Sequence, residues 1–264
     1  MSNNRLEIED LGILFGGIKA VDGITFSAQA GEVTSIIGPN GTGKTTLFNL
    51  VSGVYTADTG HVRIEGTPVT GEPLHRLARR GMARTFQNLQ IFPQMTALNN
   101  VMTGCHLRET SNLFADLLGL PSSRRETTKS RELAHAALDR ETLGNLAARP
   151  ASDLSYGQLK RLEIARALVT GCSILLLDEP AAGCNAVETL EVDDLIQQIA
   201  EEGVCVVLIE HDMRMVMRIS SHIVVLNQGT KIAEGRPEEI RDNDRVVSAY
   251  LGAHGAAEAR AAHG

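Results

Sequence analysis

Residues 38–45 read Gly38-Pro39-Asn40-Gly41-Thr42-Gly43-Lys44-Thr45, and no other run constrains the fold as strongly. The spacing G-x-x-x-x-G-K-[ST] is that of a phosphate-binding loop between a strand and a helix. The flanks agree. Val33-Thr34-Ser35-Ile36-Ile37 reads as a buried strand, and Thr46-Leu47-Phe48-Asn49-Leu50-Val51 reads as a helix. Gly38, Gly41 and Gly43 let the backbone wrap closely, so that its N–H groups turn inward toward phosphate oxygens. Pro39, Asn40, Thr42 and Thr46 complete the expected phosphate cradle. The helix start adds the positive end of its dipole. Lys44 is placed to reach the terminal phosphates, and Thr45 to offer its hydroxyl to Mg²⁺.

The chain has 264 residues, 43% hydrophobic and 22% charged, enough to bury a substantial core. Its net charge of -7 argues against a nucleic-acid partner held by overall charge. Cys105, Cys172, Cys184 and Cys205 are scattered without a C-x-x-C pair, which predicts reduced thiols and no cysteine-held metal. Cys172 and Cys205 fall in or beside apolar runs and should be buried. Met1-Ser2-Asn3-Asn4-Arg5 is polar, unlike a secretory leader, and no apolar run approaches the length of a membrane span.

Residues 5–35 read as short strands divided by glycine turns at Gly16-Gly17 and Gly23, and strand pattern returns at His61-Val62-Arg63-Ile64. Residues 74–84 read as a helical stretch with Arg76, Arg79, Arg80 and Arg84 on a solvated face. From about 95 to 150 strand patterns vanish. Leu98, Val101 and Met102 mark one helical face; Leu113, Leu117 and Leu118 a second; Leu133, Ala136, Ala137 and Leu138 a third. Pro121-Ser122-Ser123 should break this run. Alternation then resumes: strand Ser173–Leu177, helix Val187–Ile199, strand Val204–Ile209, helix Met213–Ile219. Continuous apolar strands of this kind belong to a parallel sheet covered on both faces. Ile223–Leu226 and Lys231–Glu234 flank Asn227-Gln228-Gly229 as a closing hairpin.

Two further clusters carry chemistry. Ile174-Leu175-Leu176-Leu177-Asp178-Glu179 is a buried strand ending in adjacent carboxylates. Asp178 suits a Mg²⁺ ligand, and Glu179 suits a base for an attacking water. Leu154-Ser155-Tyr156-Gly157-Gln158 opens a helix. It reads both as a capping box, Ser155 with Gln158, and as a second anion site.

Taken together, these motifs resemble an ABC-transporter ATP-binding subunit over about residues 5–252. The resemblance makes Gly38–Thr45 the Walker A loop, Ile174–Glu179 the Walker B strand and Leu154–Gln158 the signature motif, with Tyr156 where many members have Gly. It adds three residues. Gln87, in Arg84-Thr85-Phe86-Gln87-Asn88, matches the Q-loop glutamine that touches Mg²⁺ and water. His211 matches the switch histidine at the γ-phosphate, and Phe15 the aromatic that stacks on adenine. The implied fold is a P-loop α/β core with an antiparallel β subdomain and a helical lobe inserted at about 90–160; residues 253–264 would be a flexible tail.

Four stretches narrow the resemblance to the branched-chain (hydrophobic) amino-acid importer branch: Arg84–Gln87, Asp178–Gly183, Glu210–Met213 and Ala249–Gly252. Asn112–Glu126 is similar to the enlarged lobe of the longer of that branch's two paralogous cassettes. Ala186 departs from it, standing after Asn185 where the branch has Pro. The implied activity is Mg²⁺-dependent ATP hydrolysis. The implied partners are a second cassette meeting it head-to-tail, as homodimer or heterodimer, transmembrane permeases, and indirectly a periplasmic solute-binding protein. The implied location is peripheral, on the cytoplasmic face of the inner membrane. Lipopolysaccharide-export and urea-import ATPases share these motifs, as do soluble ABC ATPases, although the latter usually carry two cassettes or a long coiled coil.

Overall fold

The computed structural model describes residues 4–108 and 121–250. Leu113, Leu117, Leu118 and the tail 253–264 lie outside them. The strands are β1 (Asn4–Phe15), β2 (Ile18–Gln29), β3 (Val33–Ile37), β4 (Thr59–Ile64), β5 (Thr67–Pro68), β6 (Met82–Arg84), β7 (Ile174–Asp178), β8 (Cys205–Ile209), β9 (His222–Asn227) and β10 (Thr230–Gly235). The helices are α1 (Lys44–Val51), α2 (Leu74–Arg79), α3 (Ala97–Met102), α4 (Pro121–Arg140), α5 (Tyr156–Leu168), α6 (Ala186–Glu201), α7 (Met213–Ile219) and α8 (Pro237–Arg241).

Two sheets form. One is antiparallel in the order β2-β1-β4-β5; the other runs β10-β9-β3-β8-β7-β6. In the second sheet β3 lies between β8 and β9 and runs parallel to both, and β7 runs parallel to β6 and β8. Every residue of β3, β7 and β8 is buried, as expected of strands covered on both faces. Alternate residues feed opposite layers. Ile36, Leu176 and Val207 face a core shared with α1 and the antiparallel sheet. Leu175, Leu177 and Leu208 face a core closed by Val192, Ile196 and Ile199 of α6 and Met215 of α7. Cys172 and Cys205 are buried as expected.

The amino-terminal region differs from its reading as several short strands. β1 and β2 are long strands joined by a tight turn at Gly16-Gly17, with Phe15 paired to Ile18. Gly23 is no turn. It lies inside β2, at φ 63, where the register slips between Leu11↔Ile24 and Ile13↔Val21, so it accommodates a bulge.

Between β6 and β7, α3, α4 and part of α5 share their own core, including Leu98, Val101, Leu138, Leu143 and Leu162. Pro121-Ser122-Ser123 opens α4. The buried face of that helix is shifted from the expected one. Ala134 and Leu138 are buried, while Ala136 is exposed. Residues 74–84 likewise divide: the helix stops at Arg79, and Arg84 is the last residue of β6.

Candidate functional site

β3 delivers the chain into the loop 38–43, which threads between β2 and the end of β9. Two glycines are dictated by that passage. A Cβ on Gly38 (φ 151) would lie 2.1 Å from the Leu226 carbonyl oxygen, and one on Gly43 (φ 96) would lie 2.3 Å from that of Ala20. Gly43 is also the N-cap of α1 and supplies no side-chain cap. The helix start therefore keeps its donors for an external acceptor. The Lys44 ammonium is buried and folded over the loop, donating to the carbonyls of Gly38 at 2.7 Å and Pro39 at 3.0 Å. Burial lowers its pKa, while the charges of Glu179 and Asp178 act in the opposite sense. Thr42 Oγ1 donates to Pro39 O at 2.9 Å and tightens the turn.

A cleft of about 870 Å³ opens over this loop. Asn40, Gly41, Thr42, Gly43, Lys44, Thr45 and Thr46 form its floor, and Gln87, Glu179 and His211 stand on its walls. Residues from three separate parts of the sequence thus meet as expected. Gln87 Nε2 donates to Glu179 Oε2 at 3.1 Å. His211 Nδ1 is 3.8 Å from Glu179 Oε1 and 3.7 Å from Glu210 Oε2, in ion-pairing range of both but too far for a hydrogen bond. Glu179 itself adopts φ 50, unusual for a residue with a Cβ. Its backbone is held there from both sides: its N–H donates to Ile209 O at 3.0 Å, and its carbonyl accepts from Lys160 Nζ at 3.3 Å.

Asp178 ends β7 with a carboxylate paired to Arg84, Nη2 to Oδ2 at 3.1 Å. Burial raises the Asp178 pKa, and Arg84 works against that rise. Arg84 is not on a solvated helix face. It also donates to Asn49 Oδ1 at 2.8 Å and Ser52 Oγ at 2.6 Å, and lies over the rings of Phe48 and Phe86. Sequence reasoning missed it, together with Lys160 and Glu210. Glu210 directly follows β8, as Glu179 follows β7: its buried carboxylate accepts from the backbone N–H groups of Ala181 and His211 and so ties two loops together. Burial raises its pKa.

Phe15 is 45% exposed beyond the cleft's lining, and its ring meets Tyr55 edge-on with centroids 5.4 Å apart. Ser155, Gly157 and Gln158 do not line the cleft. They open α5 elsewhere, with the expected capping box: Ser155 Oγ accepts from Gln158 N at 3.3 Å, and Ser155 N donates to Gln158 Oε1 at 2.9 Å.

Comparison with known proteins agrees with this architecture. Residues 21–182 match the family described as ABC transporter, and residues 230–256 match one described as branched-chain amino acid ATP-binding cassette transporter. The chain is 46% identical, across 96% of its length and 99% of the relative's, to the high-affinity branched-chain amino acid transport ATP-binding protein BraF of Pseudomonas aeruginosa. It is 44% identical over the same shares to its counterpart LivG of Escherichia coli. Among solved structures, a nucleotide-free ATP-binding cassette from an ABC transporter superposes with a TM-score of 0.82 at 33% identity, covering 94% of this chain and 98% of that one. A cassette in its ADP conformation superposes with a TM-score of 0.83 at 32% identity, covering 95% and 100%.

Proposed function

The chain belongs to the ABC transporter family, and from that premise we propose that it is the ATP-hydrolysing subunit of an importer for branched-chain amino acids. The observation carrying the hydrolytic reading is the meeting of Gln87, Glu179 and His211 in one cleft over Lys44. The substrate class is carried by near-full-length similarity to branched-chain amino acid transport ATPases.

The roles follow from position. The 38–46 loop cradles the phosphates with backbone N–H groups, and Lys44 exchanges its carbonyl acceptors for phosphate oxygens. Phe15 offers its exposed ring to the adenine base. Glu179 accepts a proton from the attacking water, Gln87 orients that carboxylate, and His211 contacts the terminal phosphate. The donor chemistry suits Mg²⁺: the Thr45 hydroxyl and the Gln87 amide oxygen, which line the cleft, and the Asp178 carboxylate, buried against Arg84 and next in the chain to Glu179, would supply oxygen ligands to a hard cation. The ion would supply charge neutralisation of the phosphate oxygens.

Ser155, Gly157 and Gln158 stand apart from their own chain's cleft, which supports a composite site in which they serve a facing cassette's ATP. The branch makes that partner a shorter paralogous cassette. No helix among the described residues is long and apolar enough to cross a membrane. The similarity to transport ATP-binding proteins supports permease subunits that carry the solute, with this chain a peripheral ATPase on the cytoplasmic face. A periplasmic binding protein would deliver it. Deleting the gene and measuring uptake of labelled leucine, isoleucine and valine tests the substrate class. Loss of all three is expected; normal uptake of all three with failure of another solute refutes the assignment.

A further inference from the structure

The donors that open α5 are already engaged within this chain. Ser155 Oγ donates to Glu188 Oε1 at 3.0 Å, and the Gly157 N–H donates to the same oxygen at 3.3 Å. The other carboxylate oxygen accepts from Asn185 N–H at 3.1 Å, and the Asn185 side chain accepts from the Glu188 N–H at 3.0 Å, completing a capping box for α6. Glu188 thus reaches across from α6 to the start of α5 and gathers donors from both helix ends. The approach is close: a Cβ on Gly157 would lie 2.5 Å from Glu188 Cδ. A glycine at that position is what admits the carboxylate. The Asn185 N–H first, and the Ser155 hydroxyl next, hold the Glu188 pKa below its ordinary value, so the group is ionised at neutral pH.

A carboxylate oxygen and a phosphate oxygen seek the same donors in the same way. We propose that Glu188 is a displaceable occupant of the Ser155–Gly157 anion seat. It holds the seat's donors in the lone chain and yields them to the terminal phosphate of a nucleotide on a facing cassette. The proposal rests on the composite-site reading above. Each association event then includes an exchange of one anion for another. Glu188 is a positioning residue in this scheme. It keeps the Ser155 hydroxyl and the Gly157 N–H converged on one anionic oxygen until phosphate arrives. It also sets the nucleotide concentration at which phosphate wins, because it competes for the same two donors. Its release loosens the link between α5 and the Asn185 turn, so occupancy of the seat is felt at the start of α6.

The test uses the full chain carrying Glu179→Gln, with and without E188Q, alone and with its partner cassette. Association is followed by light scattering as MgATP is raised. Glutamine still serves as the third residue of a capping box, so E188Q removes the charge while keeping the helix start. Because the contact is largely solvated, the expected shift is modest: half-maximal association at about threefold lower MgATP. Nucleotide affinity at the chain's own P-loop, measured on dilute protein by titration, should stay the same. An unchanged or higher MgATP requirement in E188Q overturns the proposal. So does an equal change in affinity at its own P-loop, which would mark a general structural effect. If the Glu179→Gln chain associates with no cassette at saturating MgATP, the composite-site reading fails, and this proposal fails with it.

Discussion

Glu179 is held at φ 50 by a backbone hydrogen bond to β8 and by Lys160, a conformation costing on the order of 1–3 kcal/mol. That cost turns its carboxylate toward Gln87 and His211 in the cleft. Replacing Glu179 with glutamine keeps the side-chain shape and removes the proposed base. Nucleotide affinity should persist while turnover falls by roughly 10²–10⁴-fold. Single-turnover hydrolysis near the wild-type rate would remove Glu179 from the base role. A second residue-scale prediction concerns Glu141, just after α4. It is 2% exposed, neither of its carboxylate oxygens has a hydrogen-bond partner, and burial pushes its pKa up to about 8, against the pull of Arg140 and Arg161. An unfolded glutamate titrates near ~4.3. The folded state therefore binds the extra proton, and stability contributed by the protonated form is present at low pH and lost as pH rises toward about 8. Glu141→Gln should raise the thermal midpoint, and by more at about pH 8 than at about pH 5, at up to about 1.4 kcal/mol per pH unit within that window. A gain independent of pH would show that Glu141 does not titrate there.

Elements bring these residues together. The loop at 38–43 works because two glycines let it pass under neighbouring carbonyls. Gly43→Ala would set a methyl 2.3 Å from Ala20 O at φ 96. It should weaken MgATP binding at least tenfold in calorimetric titration, a loss of about 1.4 kcal/mol, and lower the thermal midpoint. Normal affinity would mean that the loop relocates without harm. The same elements show what the sequence made legible. The strands β3, β7 and β8 are apolar throughout, and α7 occupies the expected Met213–Ile219 span. Their signals are local, so they survive reading in one dimension. Arg84 did not. It follows three arginines at helical spacing, and only the sheet pairs it with Asp178, 94 residues away. Gly23 resembled a turn because a bulge and a turn ask for the same backbone freedom. Glu188 is not singled out in the sequence, since its contact with Ser155 and Gly157 depends on where α5 starts. Phe15 and His211 entered only through family resemblance; each alone is an ordinary aromatic or histidine.

At the scale of the whole molecule, the cleft over Lys44 and the start of α5 are separate surfaces of one chain. A lone subunit then has a nucleotide floor without the donors of Ser155 and Gly157, and should hydrolyse ATP poorly. In the proposed head-to-tail pair each cassette would close the other's gap, and ATP would be part of the interface. Ligand bound at that seam would shift the population toward the closed pair, and its hydrolysis would release it. The arrangement is tested by separating the two surfaces. Ser155→Arg fills the anion seat of this chain with a long cationic side chain but leaves its P-loop untouched. In the assembled transporter, hydrolysis at the partner's P-loop should fall by roughly 10²-fold or more, the scale of losing aligned charge-stabilising donors. ATP affinity at this chain's own P-loop should remain as in the unaltered protein. Distinguishing the sites requires a Lys44→Ala background, in which only the partner's P-loop binds nucleotide productively. If Ser155→Arg has no effect there, but abolishes hydrolysis when only this chain's P-loop is intact, the seat acts within its own chain and the head-to-tail arrangement is wrong.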